Sequence, residues 1–263
     1  LAYDNGNNSP GGLVPTAGAY DLVEAAAAGN EDMDRISSTW EGCIEERQTV
    51  STIVPDDAIV EDNDNLSIPA NAFDLDIDLV PNSDASRWRP MWPRMAFRRT
   101  AGSVTATNGT AMNSAACPAA AVRLRAWTEA EMQTYVNALS PVGSTYHDTG
   151  MIWGARLLSP DGIFGDSPDE YNGMPVSRHI IFMSDGEIST DRSNYALYGI
   201  EQNERRIAGN WIADINGDGD TDNDDLSAFH EYRFRMICNR AKTLPASIWT
   251  IALGMALSDA MTE

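Results

Sequence analysis

The sequence predicts an α/β protein: an open, mostly parallel sheet flanked by helices, preceded by a long irregular N-terminal half. Three observations carry this. From residue 121 onward, strand-like runs alternate with amphipathic helical stretches. Two of the runs, "HIIFM" (179–183) and "SIWTIALG" (247–254), are apolar almost throughout, the pattern of strands buried on both faces of a parallel sheet. The first 120 residues show loop chemistry in place of periodicity. The predicted division is therefore 1–120, a loop-rich half with a few strands inserted within or beside the domain, and 121–263, the C-terminal part of the α/β domain.

In the first half, "NGNNSPGG" (5–12) reads as loop, and "AYDLVEAAAAGN" (19–30) as a short helix ended by glycine. "DDAIVEDNDN" (56–65) is a polar acidic loop, while "FDLDIDLV" (73–80) alternates apolar and acidic residues as a half-exposed strand does. In the second half "VRLRAW" (122–127) alternates as a strand. Thr128 and Glu131 then form a capping box that opens a helix with Met132, Tyr135, Val136 and Leu139 on one face. After "SPVGST" a second helix carries Met151, Ile152, Ala155 and Leu158. A third begins near Asp225 and places Leu226, Phe229, Tyr232, Met236, Ile237 and Ala241 on its inner side. In such a sheet, ligands sit at the carboxyl ends of the strands.

Composition narrows the function. The 263 residues are 43% hydrophobic, enough to bury a real core. With 39 acidic against 18 basic residues the net charge is −21, a field that repels nucleic-acid backbones and anionic lipid but attracts divalent cations. Lys242 is the single lysine, and five arginines with two tryptophans cluster in "RWRPMWPRMAFRR" (87–99), read as a loop tied down to an acidic protein. Cys43, Cys117 and Cys238 lie far apart with no zinc or redox spacing, and the odd count implies a free thiol or a missing partner. The longest apolar run, "IWTIALGMAL" (248–257), is too short to span a bilayer. Both ends read as cuts in a longer polypeptide.

Two loops fall where the sheet places its site. One is "GSTYHD" (143–148), with Gly143 and Thr145 ahead of a helix; the other is "MSDGE" (183–187), with Asp185 directly after a buried strand. A hydroxyl and a carboxylate at strand ends hold a hard divalent cation through oxygen. Each loop also has a plain reading, as a helix cap and as a turn.

A G-x-T loop opening a helix, followed later by an apolar strand ending in S-D-G-E, resembles the von Willebrand factor A domain, a Rossmann-like fold. "TYHDTGMIWGARLLSPDGIFG", "SRHIIFMSDGE", "RFRMICNRAK" and "IWTIALG" are similar to the version in TadG-like proteins of bacterial tight-adherence (Tad/Flp) pilus assembly, as are "TWEGCIEER", "DLDIDLVP" and "RWRPMWP" in the first half. The resemblance implies a metal-ion-dependent adhesion site built from a D-x-S-x-S loop, a threonine matched by Thr145 and an aspartate matched by Asp185, loaded with Mg2+ or Mn2+. D-x-S-x-S occurs nowhere in these residues. Either the first strand lies upstream of Leu1, as the family layout implies, or the molecule lacks that site. The resemblance further implies binding without catalysis, with an acidic residue of a protein partner completing the metal's coordination. The expected partner is pilin, another pilus-assembly component or a surface ligand. The expected location is the bacterial cell envelope, on its periplasmic or extracellular face, with membrane anchoring only through a segment absent from this chain.

"DINGDGDTDNDD" (214–225) has the spacing of an EF-hand calcium loop. Asp214, Asn216 and Asp218 fall at positions 1, 3 and 5, Asp220 at 7, Asp222 at 9 and Asp225 at 12, with Gly219 where the loop must turn sharply. Aspartate at position 12 is similar to dockerin-type repeats, of which a single one is present. Its expected ligand is Ca2+, and its expected role a structural clip on an insertion after the "SDGE" strand. The plain alternative is an acidic solvated loop.

Two other function classes compete. One is a calcium-stabilised extracellular interaction module with no adhesion-site metal. The other is a metal-dependent phosphatase, since "DIDLV" with Asp76 and Asp78 resembles the nucleophile loop of haloacid-dehalogenase-type enzymes. That chemistry needs a lysine ahead of a later acidic pair, and Lys242 follows the acidic cluster.

Overall fold

The computed structural model describes residues 42–53, 55, 67–91, 119–140, 144–184, 186, 188–192, 194–201, 205–209 and 223–253, together with short strands within 3–39 and 95–106. At its centre two parallel strands, β1 (Arg178–Ser184) and β2 (Ala246–Ala252), pair in register from Arg178 opposite Ala246 to Ser184 opposite Ala252. Among the described residues three helices accompany them: α1 (Glu129–Ala138), α2 (His147–Leu158) and α3 (Asn223–Ala241). The chain passes from β1 through α3 to β2, the helical crossover that a parallel pair requires. α2 packs against both α3 and β1. A mixed α/β architecture with parallel strands is thus present.

The helices form where the apolar period dictates. Met151, Ile152, Ala155 and Leu158 of α2 are buried in one core with Met236, Ile237 and Ala241 of α3, with Tyr232 packed at its margin, while Leu226 and Phe229 are buried in a second cluster with Tyr198, Ile207 and Ala208. Full burial of such aliphatic and aromatic side chains contributes about 1.5–3 kcal/mol each. The capping box of α1 is formed: Thr128 Oγ1 accepts from the Glu131 N–H at 3.3 Å, and Glu131 Oε2 accepts from the Thr128 N–H at 2.8 Å. Ile53, Ala72, Leu75 and Ile77 enter the same core as α2, Ile180 and Phe234.

A buried ion network also joins the first half to the helices. Glu46 accepts from Arg156 at 2.7 Å, Glu45 accepts from Arg206 at 3.4 Å and from the Tyr195 hydroxyl at 2.5 Å, and Asp74 pairs with Arg233. Cys43 is disulfide-bonded and Cys238 is free.

Several expectations are corrected. "VRLRAW" is irregular and largely exposed, because Arg123 turns to Asp166 and to the Phe164 carbonyl while Arg125 stacks over Trp127. "FDLDIDLV" forms a single 3-10 turn (Phe73–Leu75) followed by bends, because Asp76 Oδ1 accepts the backbone N–H groups of Asp78 and Leu79 at 3.0 Å each. Aspartate competing for its own backbone in this way displaces a strand. In "AYDLVEAAAAGN", residues Ala19–Leu22 are a strand between Leu13–Thr16 and Ile36–Thr39; the rest lies outside the described residues, as does "DDAIVEDNDN". Finally, among the described residues β1 and β2 are covered on one face only: Ile180 faces the core, whereas Ile181 and Trp249 are 64% and 57% exposed.

Candidate functional site

The carboxyl end of β1 and the amino end of α2 meet. Ser184 closes the strand, and its Oγ lies 3.0 Å from Nε2 of His147, the first residue of α2. The same hydroxyl accepts from the Gly186 N–H at 3.2 Å and donates to the Gly186 carbonyl at 3.0 Å, which turns the chain sharply after the strand. His147 is wedged edge-on against Phe182 with centroids 5.3 Å apart. Burial lowers its pKa, partly offset by the nearby Asp148 carboxylate.

Thr145 sits two residues before α2, exposed at the surface. Its backbone exchanges two hydrogen bonds with Ser189, Thr145 N–H to Ser189 O at 2.7 Å and Ser189 N–H to Thr145 O at 3.1 Å. Residues 189–192 and 194 lie along this loop as a strap. The Asn194 amide donates to Ser144 Oγ at 2.6 Å, and the Tyr146 hydroxyl donates to the Asp191 carbonyl at 3.3 Å. On its other side the strap holds the start of α3. Thr190 Oγ1 donates to the Asn223 carbonyl at 2.8 Å, and the Arg192 N–H donates to Asn223 Oδ1 at 3.1 Å.

Beneath the strap lies Asp148, fully buried, with Oδ2 at 2.8 Å from His230 Nδ1 and Oδ1 without a hydrogen-bond partner. Glu201 is buried nearby and accepts from the N–H groups of Arg206, Ile207 and Ala208 at 2.7–3.2 Å. Burial raises its pKa against those backbone bonds.

Of the residues predicted for metal, Thr145 lies two residues before α2, bridged through its backbone to Ser189, while Gly143 and Asp185 lie outside the described residues. Asp214, Asn216, Asp218, Gly219, Asp220 and Asp222 also lie outside them. Asp225 is 1% exposed in the first turn of α3, where the calcium-loop numbering sets its last ligand. Among the described residues no three His, Cys, Asp or Glu side chains are grouped to hold a metal ion. At the strand end the Ser184 hydroxyl is engaged by His147 and by Gly186, and Thr145 is held through its backbone by Ser189.

Asp76 and Asp78, the phosphatase candidates, lie in the bends after the 3-10 turn. Asp78 accepts from Ser159 Oγ and from Arg240 at 3.3 Å. A cavity of about 450 Å³ beside them, lined by Phe73, Asp76, Met236 and Arg240, runs along the C-terminal half of α3. At 1.5 Å per helical residue, that is roughly 20 Å from the end of α3 that meets the strap.

The sequence reading missed Asp148, His147, Ser184 and His230. A signal existed: Asp148 shares the apolar stripe of α2 with Met151, Ile152 and Ala155, and His230 lies beside Leu226, Phe229 and Phe234 on the inner side of α3. Polar residues on a core-facing stripe require partners in the interior.

Comparison with protein-family models, with curated proteins and with solved structures finds no match. Among the described residues, no helix is long and apolar enough to cross a membrane.

Proposed function

We propose that residues 121–263 are the C-terminal part of a von Willebrand factor A-type domain in a TadG-like component of tight-adherence pilus assembly or adhesion. It binds a protein partner through a metal-assisted surface and carries no catalysis. One observation carries the reading: the loop of Thr145 is held at the carboxyl end of β1 by the His147–Ser184 contact and the Thr145–Ser189 bridge, beside the loop that contains Asp185. That is where parallel α/β sheets place their ligands. Thr145 and Asp185 would hold Mg2+ or Mn2+, whose charge attracts an acidic side chain of the partner. The disulfide at Cys43 supports an oxidising compartment such as the cell envelope.

Ca2+ in the 214–225 loop serves as a clip. Asp225 sits in the first turn of α3, and the strap joins that turn to the Thr145 loop, so a cation there steadies the end of the helix nearest the site.

Magnesium titration of the full-length protein by calorimetry tests the adhesion metal. Binding is expected, and Thr145→Ala and Asp185→Ala are each expected to weaken it at least about tenfold, or 1.4 kcal/mol. Unchanged binding in both variants removes the site. Thermal melts with calcium and with EDTA test the clip, since a cation that binds only the folded state raises its stability. The upward shift with calcium is expected to vanish in Asp225→Ala.

A second reading, a calcium-stabilised interaction module without an adhesion metal, is favoured by the lack of D-x-S-x-S within the chain. It keeps the calcium shift and loses the magnesium binding.

A further inference from the structure

We propose that the bare face of the β1–β2 sheet is a docking surface for α1 of a second copy of this chain, so that two copies exchange α1 reciprocally in a dimer. Parallel sheets are covered on both faces, because their strands are apolar on both and their crossovers lay helices over them. Here α2 and α3 cover one face. On the other, Ile181, Met183, Trp249, Ile251 and Leu253 are 64%, 60%, 57%, 41% and 51% exposed.

α1 is the complementary piece. It is a well-capped helix with no buried residue, and Met132, Val136 and Leu139, on one stripe, are 44%, 49% and 50% exposed. Ten helical residues span about 15 Å, and the bare stripe from Trp249 to Leu253 runs about 13 Å along its strand. The helix is not seated on its own sheet. Its N-terminal approach is tied to the loop after α2 by the Arg123–Asp166 pair at 2.5 Å and by the Arg123 bond to the Phe164 carbonyl at 2.8 Å, and Tyr135 donates to the Ala120 carbonyl at 3.0 Å.

Area selects reciprocal exchange over the simpler contacts. Large apolar side chains offer on the order of 150–200 Å² each when bare, so the sheet face presents about 450 Å². The α1 stripe of Met132, Val136 and Leu139 presents about 250 Å² on the same basis. A single helix-on-sheet contact then buries about 700 Å² and two sheet faces pressed together about 900 Å², short of the roughly 1,200 Å² of a stable interface. Two reciprocal contacts bury about 1,400 Å², within the standard range. The arrangement closes on itself with twofold symmetry, leaving neither patch exposed.

Sedimentation equilibrium on the chain at micromolar concentration, with Val136→Glu and Trp249→Glu variants, tests this. The unaltered chain is expected at twice its monomer mass, and each variant alone as monomer, because each loses both contacts. An equimolar mixture of the two variants is expected to associate again through one intact contact, at least about tenfold more weakly than the unaltered chain. Circular dichroism confirms that each variant folds; Met132→Glu and Ile181→Lys replace any that does not. An unaltered chain that stays monomeric overturns the proposal. So does a Val136→Glu dimer, which assigns the contact to two sheet faces.

Discussion

Asp148 Oδ2 and His230 Nδ1 meet at 2.8 Å in the interior and join the first turn of α2 to the middle of α3. The His230 ring is also held edge-on against Tyr146, with centroids 4.9 Å apart, and at a tilt against Tyr198 at 5.9 Å. The contact thus sets how the two helices converge beneath the Thr145 loop. Removing one partner strands a buried polar group, so Asp148→Ala is expected to cost about 3 kcal/mol. Urea unfolding measures it, and a cost below about 1 kcal/mol, the net worth of an ordinary hydrogen bond, shows that the pair does not organise the helices.

His147 makes stability pH-dependent. Burial holds its pKa below the ordinary 6.5, so as pH falls the unfolded chain takes up a proton that the folded state resists. Stability attributable to this residue is therefore present above about pH 6.5 and declines as pH drops through that value. The urea midpoint of His147→Gln is expected to change less between pH 7.5 and about pH 5 than that of the unaltered protein. Equal changes in both remove His147 from the account.

Cys238 is expected to be inert while the protein is folded. Burial pushes its thiol up to about 12, against a weaker downward pull from Lys242, and the thiolate is the reactive form. A thiol reagent at pH 8 should leave the native protein unlabelled, then label one thiol in denaturant, because Cys43 is disulfide-bonded and the chain holds three cysteines. Labelling of all three requires prior reduction.

Arg47 is a cost built into the interior. It is 1% exposed, none of its guanidinium nitrogens has a hydrogen-bond partner, and its charge rests over the Trp88 ring at 3.7 Å. Burial, with a further push from Arg156, lowers its pKa to about 10. A cation–π contact returns about 2 kcal/mol at best. Arg47→Met, which keeps the length and removes the charge, is expected to raise stability by about 1 kcal/mol. Destabilisation by that amount instead shows that the guanidinium is satisfied.

The second half of the chain was largely legible because its signals are local. The 3–4-residue period of Met151, Ile152, Ala155 and Leu158, the capping box of Thr128 and Glu131, and the apolar run around Ile180 are patterns that neighbouring residues set among themselves. "FDLDIDLV" misled because alternation alone does not register that Asp76 binds the N–H groups of Asp78 and Leu79. The exposure of Ile181 and Trp249 was equally invisible, since an apolar residue in a strand carries no mark of whether anything packs upon it.

By itself, the sequence determined the helices, the two parallel strands and the ligand-type spacing of residues 214–225, all of which follow from short-range periodicity and composition. Tertiary structure alone decided that Ser184 meets His147 across 37 positions, that Asp148 meets His230 across 82, and that Glu46 meets Arg156 across 110. The physical reason is that a buried charge or hydroxyl must find a partner in the interior, and which partner it finds depends on how the helices pack.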